Sequence, residues 1–362
     1  MHFHRNPRCV AVAMRHFLLD NNATMKIPYN LWHPVLLSKE LRAKPSKFRR
    51  FGLDFVFWRD AQGQPHAFPD RCPHLGASLS QGSVVDGKLV CPFHGFEFDS
   101  SGQCAHIPAN GVSGKIPAGM ECDHYDCVEQ YGFIWLWMGD APATGSPAYF
   151  AEIAAGFQTY DSVVEAPVNY SRAIENQLDC AHLPFVHKTT IGAGGRSFVD
   201  GPYVEEFENG INTWVFNRID SGDAQLSQSE LRARAAAIVP SLQLLFPSLW
   251  LLNISENFKN FIAFVPVDER TTRFYIRACH KVSVPLIRQL YELVLGLSNK
   301  FILGQDLRII ANITPQFSLD STSDRLIGAD RAIVAYRRWL AKHALEIGSV
   351  GKKIIPIELS EK

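Results

Sequence analysis

The sequence predicts an α+β chain in two parts: a small all-β domain, then a larger domain in which antiparallel strands pack against a long helix near the C-terminus. Three observations carry this. Between residues 29 and 140, short β-rich runs recur at turn-marked intervals. Around residues 214 to 276 apolar residues alternate as they do along half-buried strands, and from 284 to 313 they return at helical spacing.

A length of 362 residues suits two domains, and 46% hydrophobic residues suffices for two sizeable cores. The 36 basic residues balance 36 acidic ones and no basic block stands out. That argues against nucleic acid or an anionic membrane surface as a partner. The cysteines show no disulfide spacing, and free thiols point to a reducing cytoplasm.

Residues 1–24 begin with the basic start and short apolar run of a secretory signal. Arg15 and His16 interrupt that run and no A-x-A site follows, so the segment reads as an N-terminal extension. Met25 is a candidate start, because strand patterning begins at Ile27. The β domain is expected over 25–145, with strands at Trp32 to Leu37, Phe51 to Trp58, Pro65 to Phe68, Lys88 to Val90, Phe96 to Phe98 and Tyr131 to Met138. Asp86-Gly87 and Ser101-Gly102 supply hairpin turns.

Inside this domain stand two ligand-like pairs, Cys72-Pro73-His74 and Cys91-Pro92-Phe93-His94. Two thiolates and two imidazoles suit zinc, or a [2Fe–2S] cluster with both histidines on one iron. The single residue between Cys72 and His74 is short for zinc. Gly76 and Gly95, one after each pair, leave room for backbone amides beside the sulfurs. Both details favour the cluster.

The Pro- and Gly-containing stretch 141–149 is the expected linker, and the second domain is expected over 146–362. It opens with a helix predicted from Tyr170 to His182, which sets Asp179 and His182 on one face. On an ideal helix His182 and His187 would stand roughly 140° apart. Both can then reach one metal only if the helix ends or distorts near Leu183-Pro184. An H-x4-H pair by itself more often joins two unrelated histidines. Asp179 can accept the His182 imidazole N–H, and Asn176 can support the same site from the turn above.

The uncharged stretch Ala235 to Asn253 is long enough to span a bilayer. Pro240 and Pro247 break it, and Ser241, Gln243 and Ser248 would lie unpaired in lipid. It reads as two buried strands joined at a proline, with Phe246, Leu249 and Trp250 divided between core and pocket. In the long helix Asp306 is set among Phe301, Ile302, Leu307, Ile309 and Ile310. A last amphipathic helix, 330–346, has Trp339 and Leu340 on its apolar side and is expected to pack on the domain or on a neighbour.

With sixteen residues between His74 and Cys91, the pattern C-x-H-x16-C-x2-H resembles the Rieske motif. Respiratory Rieske subunits carry an extra cysteine after each pair and a serine after the second His-Gly. Here Ala77, Phe93 and Phe96 stand at those places, which implies a low-potential cluster. The segment Glu175 to His187, ENQLDCAHLPFVH, resembles the E-N-x2-D-x2-H-x4-H motif of Rieske non-haem iron oxygenases.

The resemblance runs from Tyr29 to about Leu340 and is nearest to vanillate O-demethylase-like and saxitoxin-modifying members. It implies a helix-grip catalytic domain, a [2Fe–2S] cluster on Cys72, His74, Cys91 and His94, and a mononuclear Fe(II) on His182, His187 and Asp306. Asp306 matches the family's third ligand in a Gln-Asp step, while Ala311 stands where many relatives carry a supporting glutamate. Asp179 is expected to reach a cluster histidine of a neighbouring subunit in a ring-shaped homotrimer. The implied activity is mono- or dioxygenation, hydroxylating or demethylating an apolar or aromatic small molecule with O2. The sequence has no GxGxxG fingerprint, so electrons are expected from an external NAD(P)H-dependent reductase, with or without a ferredoxin. The competing reading is a Rieske electron-transfer protein without oxygenase chemistry. A quinol-oxidising respiratory subunit would need a high-potential cluster and a membrane anchor.

Overall fold

The structure, a computed structural model, describes residues 25–347; the N-terminal extension expected over 1–24 lies outside them. The first part is all-β, as expected, and made of small antiparallel sheets. One joins Leu31–Leu37, Phe133–Met138 and Cys127–Gln130; another joins Ser46–Arg50, Leu53–Arg59 and Pro65–Pro69. A third has four short strands between Ser83 and His106; the Cys91 loop joins two of them, Lys88–Val90 and Glu97–Phe98, and the Cys72 loop lies between Pro65–Pro69 and Ser83–Val85.

Two expected strands start later than their composition suggested, for one reason. Phe51-Gly52 and Tyr131-Gly132 have φ of 55° and 78°, and of 56° and 76°. They are hairpin turns between Arg50 and Leu53 and between Gln130 and Phe133, so each aromatic sits in a left-handed turn position rather than a strand. Asp86-Gly87 is the expected turn, φ 49° and 71°, joining Val85 to Lys88.

The second part is built on a seven-stranded antiparallel sheet. Its strands run in the order Gln158–Ala166, Thr272–His280, Phe258–Pro266, Leu249–Ser255, Leu242–Leu245, Gly210–Arg218 and Phe198–Phe207. The stretch 235–253 supplies two of these strands, reversing at Phe246-Pro247. Alternation along the strands gives the sheet two apolar faces. Leu249, Leu251, Phe261, Ala263 and Tyr275 pack with Trp32, Phe133, Trp135 and Trp137 of the first part. The alternate residues Trp250, Ile262, Phe264, Phe274 and Ile276 pack toward the helices, with Leu178, Leu303 and Ile310.

Four helices matter for the site: α1 (Tyr170–Leu178), the single turn α2 (Leu183–Val186), α3 (Pro285–Ile310) and α4 (Arg331–His343). Helix α1 lies over Phe258–Pro266, α3 over the Gln158–Ala166 and Thr272–His280 strands, and α4 over the opposite end of the sheet. Sheet and long helix form the arrangement expected of the catalytic part. Met25–Pro28 pairs with Ala344–Ile347, tying the first described segment to the last. Among the described residues no helix is long and apolar enough to cross a membrane.

The helix predicted to His182 ends four residues earlier, at Leu178. Asp179 is extended (φ −73°, ψ 123°), and its Oδ1 accepts the Ala181 backbone N–H at 2.6 Å. This side-chain turn competes with helical hydrogen bonding and stops α1 well before Pro184. Asp179 and His182 therefore approach through a turn rather than along a helix face.

Candidate metal centres

The two Cys-His loops are copies of one design. In each, the glycine N–H donates to the cysteine C=O, Gly76 to Cys72 at 2.9 Å and Gly95 to Cys91 at 3.0 Å. In each, the cysteine N–H then donates to the far side of the loop, Cys72 to Ala77 and Cys91 to Phe96, both at 2.8 Å. The glycines take φ of 76° and 70°, which closes these turns at little steric cost. Backbone amides of His74 and Leu75 point at the Cys72 sulfur.

Cys72 and Cys91 are buried side by side, and burial first, then Cys91, pushes the Cys72 thiol up to about 12. Such a thiol ionises when a metal replaces its proton. The imidazoles of His74 and His94 lie 4.7 Å apart, and His74 Nδ1 is buried with no hydrogen-bond partner. Paired thiols, adjacent rings and an orphaned ring nitrogen fit a two-iron cluster. Phe96 stacks on His74, centroids 4.9 Å apart, in the position where the resemblance had implied a missing hydroxyl. The cysteine side is enclosed and the histidine side is open: His94 is exposed, flanked by the exposed Leu75 and Phe93.

The second set comes from distant segments. His182 and His187 bracket the one-turn α2, and Asp306 reaches them from α3. One ligand atom from each lies within 4.8 Å of the others. His187 Nε2 is 2.9 Å and His182 Nε2 3.5 Å from Asp306 Oδ1, yet that oxygen makes no hydrogen bond. Three potential ligand atoms this close together, from two imidazoles and a carboxylate, suit a shared cation. Two neutral imidazoles and one buried carboxylate are the donor set that suits Fe(II) with open positions. Asp306 is 3% exposed, so its carboxylate is not a solvated surface charge.

The outer atoms of these ligands are also held. His187 Nδ1 donates to Gln305 Oε1 at 2.8 Å, and Thr190 Oγ1 donates to the same oxygen at 3.1 Å. Gln177 Nε2 lies 3.5 Å from Asp306 Oδ2. His182 Nδ1 faces Asp179 Oδ2 at 3.5 Å. Burial would raise the Asp179 carboxyl, but the hydrogen bond and charge of His182 outweigh it and hold the group below its usual range. Sequence reasoning gave no role to Gln177, Gln305 or Thr190. Gln305 had a signal, its place beside Asp306; Thr190 had none.

Glu175, the first residue of the motif, serves as a clamp. Its carboxylate accepts from Arg172 Nη1 (2.9 Å) and Arg337 Nε (2.6 Å), and both guanidiniums also bind Asp324. The buried network fixes α1 to α4, hence the start of the histidine loop to the body of the sheet. Asn176 sits on the same helix with its Nδ2 buried and unpartnered. Of the pocket candidates, Phe246 stacks on Trp339 (centroids 3.8 Å, 7°) and belongs to the helix-side core. Leu249 points to the opposite face, into the tryptophan cluster, so strand alternation takes it out of the pocket. Trp250 faces the helices, and its indole N–H is buried without an acceptor.

Known proteins share both halves of this arrangement. The Rieske [2Fe-2S] domain family matches residues 31–130, and the vanillate O-demethylase oxygenase C-terminal domain family matches 166–346. Aminopyrrolnitrin oxygenase PrnD of Pseudomonas fluorescens is 28% identical over 87% of this chain and 92% of its own. Chlorophyllide a oxygenase of Chlamydomonas reinhardtii is 36% identical over 46% of this chain, a match that spans only 25% of that longer protein; other chloroplastic relatives are matched over 30% of their length. The solved structure of Pseudomonas putida NdmA has the same fold, with a TM-score of 0.68 at 22% identity over 86% of this chain and 89% of that one.

Proposed function

Because the chain belongs to the Rieske non-haem iron oxygenases with a vanillate O-demethylase type catalytic domain, we propose that it is a terminal oxygenase component. Its substrate is an apolar or aromatic small molecule, which it hydroxylates or oxidatively demethylates. Electrons come from an external NAD(P)H-dependent reductase, directly or through a ferredoxin. The free thiols and the cluster suit a reducing cytoplasm.

The bound groups would supply stored electrons at the cluster and an O2-binding iron at the second site. The chain's own residues do the rest. Cys72, His74, Cys91 and His94 hold the cluster with its histidine edge toward solvent, where an electron donor can approach. His182, His187 and Asp306 hold the iron, Asp306 supplying the one anion that offsets its charge. Gln305 fixes His187 with Nε2 inward, and Asp179 does the same for His182. Asp179 remains partly exposed on its outer side, which suits a cluster histidine of a neighbouring subunit in a homotrimer. Asn176, with its amide unpaired on the same helix, is the supporting polar group. Trp250 offers a substrate one N–H donor from an otherwise apolar sheet face.

The observation that carries this reading is the convergence of two imidazole Nε2 atoms on an Asp306 oxygen that has no hydrogen bond. His182→Ala should lose the mononuclear iron and all product formation while keeping the visible spectrum of the cluster. Unchanged iron content in that variant would leave only an electron-transfer protein.

A further inference from the structure

Helix α3 is apolar on both sides. The side that carries Asp306 is enclosed, with Gly296, Leu303, Asp306 and Ile310 buried on the sheet. Gly296 is so close that a Cβ there would meet the Tyr160 ring at 2.6 Å. The opposite side is in water. Leu286, Leu290, Leu293 and Leu297 succeed one another at alternating steps of four and three, and Ile287, Val294 and Phe301 run beside them at steps of seven. At about 100° per residue, Leu290 and Leu297 point directly away from Asp306. Every one of the seven is more than half exposed, and Leu286 reaches 80%.

Together they offer on the order of 800 Å² of apolar surface, more than the few hundred Å² usual for the largest patch on a monomer. That area matches the ~800 Å² per partner of a standard interface. A helix apolar all round is normally enclosed.

We infer that a second copy of this chain covers this face, α3 lying against α3 across a two-fold axis. Steps of four and three are the spacing of a knobs-into-holes seam. A seam present on both copies complements itself, as an isologous contact requires. The flanks argue against other occupants. Along residues 286–297 Gln289 borders one side and Ile287 and Val294 the other, so this part of the seam has no charge on its borders; the first is the exposed Lys300, one heptad beyond Leu293. An acidic electron donor would find only Lys300 and Arg308, both beyond the C-terminal end of the seam, and the row of cations that seats an amphipathic helix on lipid headgroups is missing. Arg288 and Glu292 lie on the sheet side, 3.6 Å from each other. Lys300 interrupts the seam beyond Leu297 and sets its end. This contact is independent of the proposed activity and of the proposed ring.

The test is the mass of the metal-loaded full chain in solution by light scattering. Leu290→Glu combined with Leu297→Glu should halve the mass while the cluster spectrum and far-UV circular dichroism stay unchanged. An unchanged mass overturns the inference. Should the double variant fold poorly, Leu293→Cys decides. Near the axis its thiol should be joined to its counterpart by a short bismaleimide, giving a covalent dimer that the unsubstituted chain does not form. No such dimer overturns the inference. So does a thiol shielded from maleimide in a monomer, which would put another segment of the same chain on the seam. Binding of the unsubstituted chain to anionic phospholipid vesicles, lost in the double variant with no change of mass, would likewise overturn it in favour of a membrane.

Discussion

The two metal-ligand sets of this molecule are built in opposite ways. The cluster ligands lie between residues 72 and 94, on two loops that repeat the same two backbone hydrogen bonds. The iron ligands come from a histidine loop and from the far end of α3, and they meet only after α1 and α3 have packed on the sheet. A locally encoded site takes its geometry from its own turns. An assembled site must take it from neighbours: Gln305 accepts from the outer nitrogen of His187, Gln177 reaches the outer oxygen of Asp306, and Asp179 faces the outer nitrogen of His182 at 3.5 Å.

The largest effect should come from a local ligand. Cys91→Ser removes one of two paired thiolates and should abolish the cluster's visible absorption altogether, since structural metal affinity depends on the full ligand count. The mononuclear iron should remain, because none of its ligands or their partners belongs to the cluster loops. Joint loss of both metals, measured as iron and acid-labile sulfide, would break the contrast between the two sites.

The assembled site should be sensitive one layer out. Gln305→Leu leaves His187 Nδ1 without its acceptor, freeing the ring to rotate and to move its proton to the nitrogen that faces the metal. Iron affinity in a chelator competition should fall by roughly 10–100-fold. Gln305→Glu restores an acceptor and should recover most of it. Equal affinities in the Leu and Glu variants would mean that Gln305 only fills space.

The same contrast decides what could be read from the residues. The spacing of Cys72, His74, Cys91 and His94 was visible because a local site leaves a local pattern. His182, His187 and Asp306 were found through a resemblance; spacing alone left the two histidines pointing apart. What the sequence hid was the turn that Asp179 makes with Ala181, since a side chain accepting from a backbone N–H two residues on resembles an ordinary helix carboxylate until the helix is seen to stop. Phe51 and Tyr131 misled for a related reason: aromatic residues suit strands, and only the pairing of Arg50 with Leu53 and Gln130 with Phe133 shows them to be turn residues. Leu249 stayed open between core and pocket because composition gives no register; the tryptophan cluster behind the sheet claims it for the core.

A smaller effect is expected where the two sites would communicate. Asp179→Asn keeps a group that can touch His182 but removes the charge. Both metals should stay bound, while electron transfer from cluster to iron should slow by roughly tenfold or more in single-turnover measurements. A normal rate would confine Asp179 to orienting His182 and capping its own turn.

The smallest effect separates two carboxyls by their surroundings. Asp179 is held down by the imidazole beside it, whereas Asp123, in the first part next to the buried Cys122, is pushed up to about 7 by burial and then by Glu121. A raised carboxyl keeps its proton in the folded protein up to near pH 7, while the unfolded chain releases it from about pH 4. The folded state therefore binds more protons in that window, and stability falls as pH rises from about 4 to 7, with the full penalty present above it. Asp123→Asn removes the ionisation. It should raise the thermal midpoint by about 2 °C at pH 8 and leave it nearly unchanged at pH 4. An equal shift at both pH values would show that Asp123 acts through its shape and hydrogen bonding, and that burial does not set its charge.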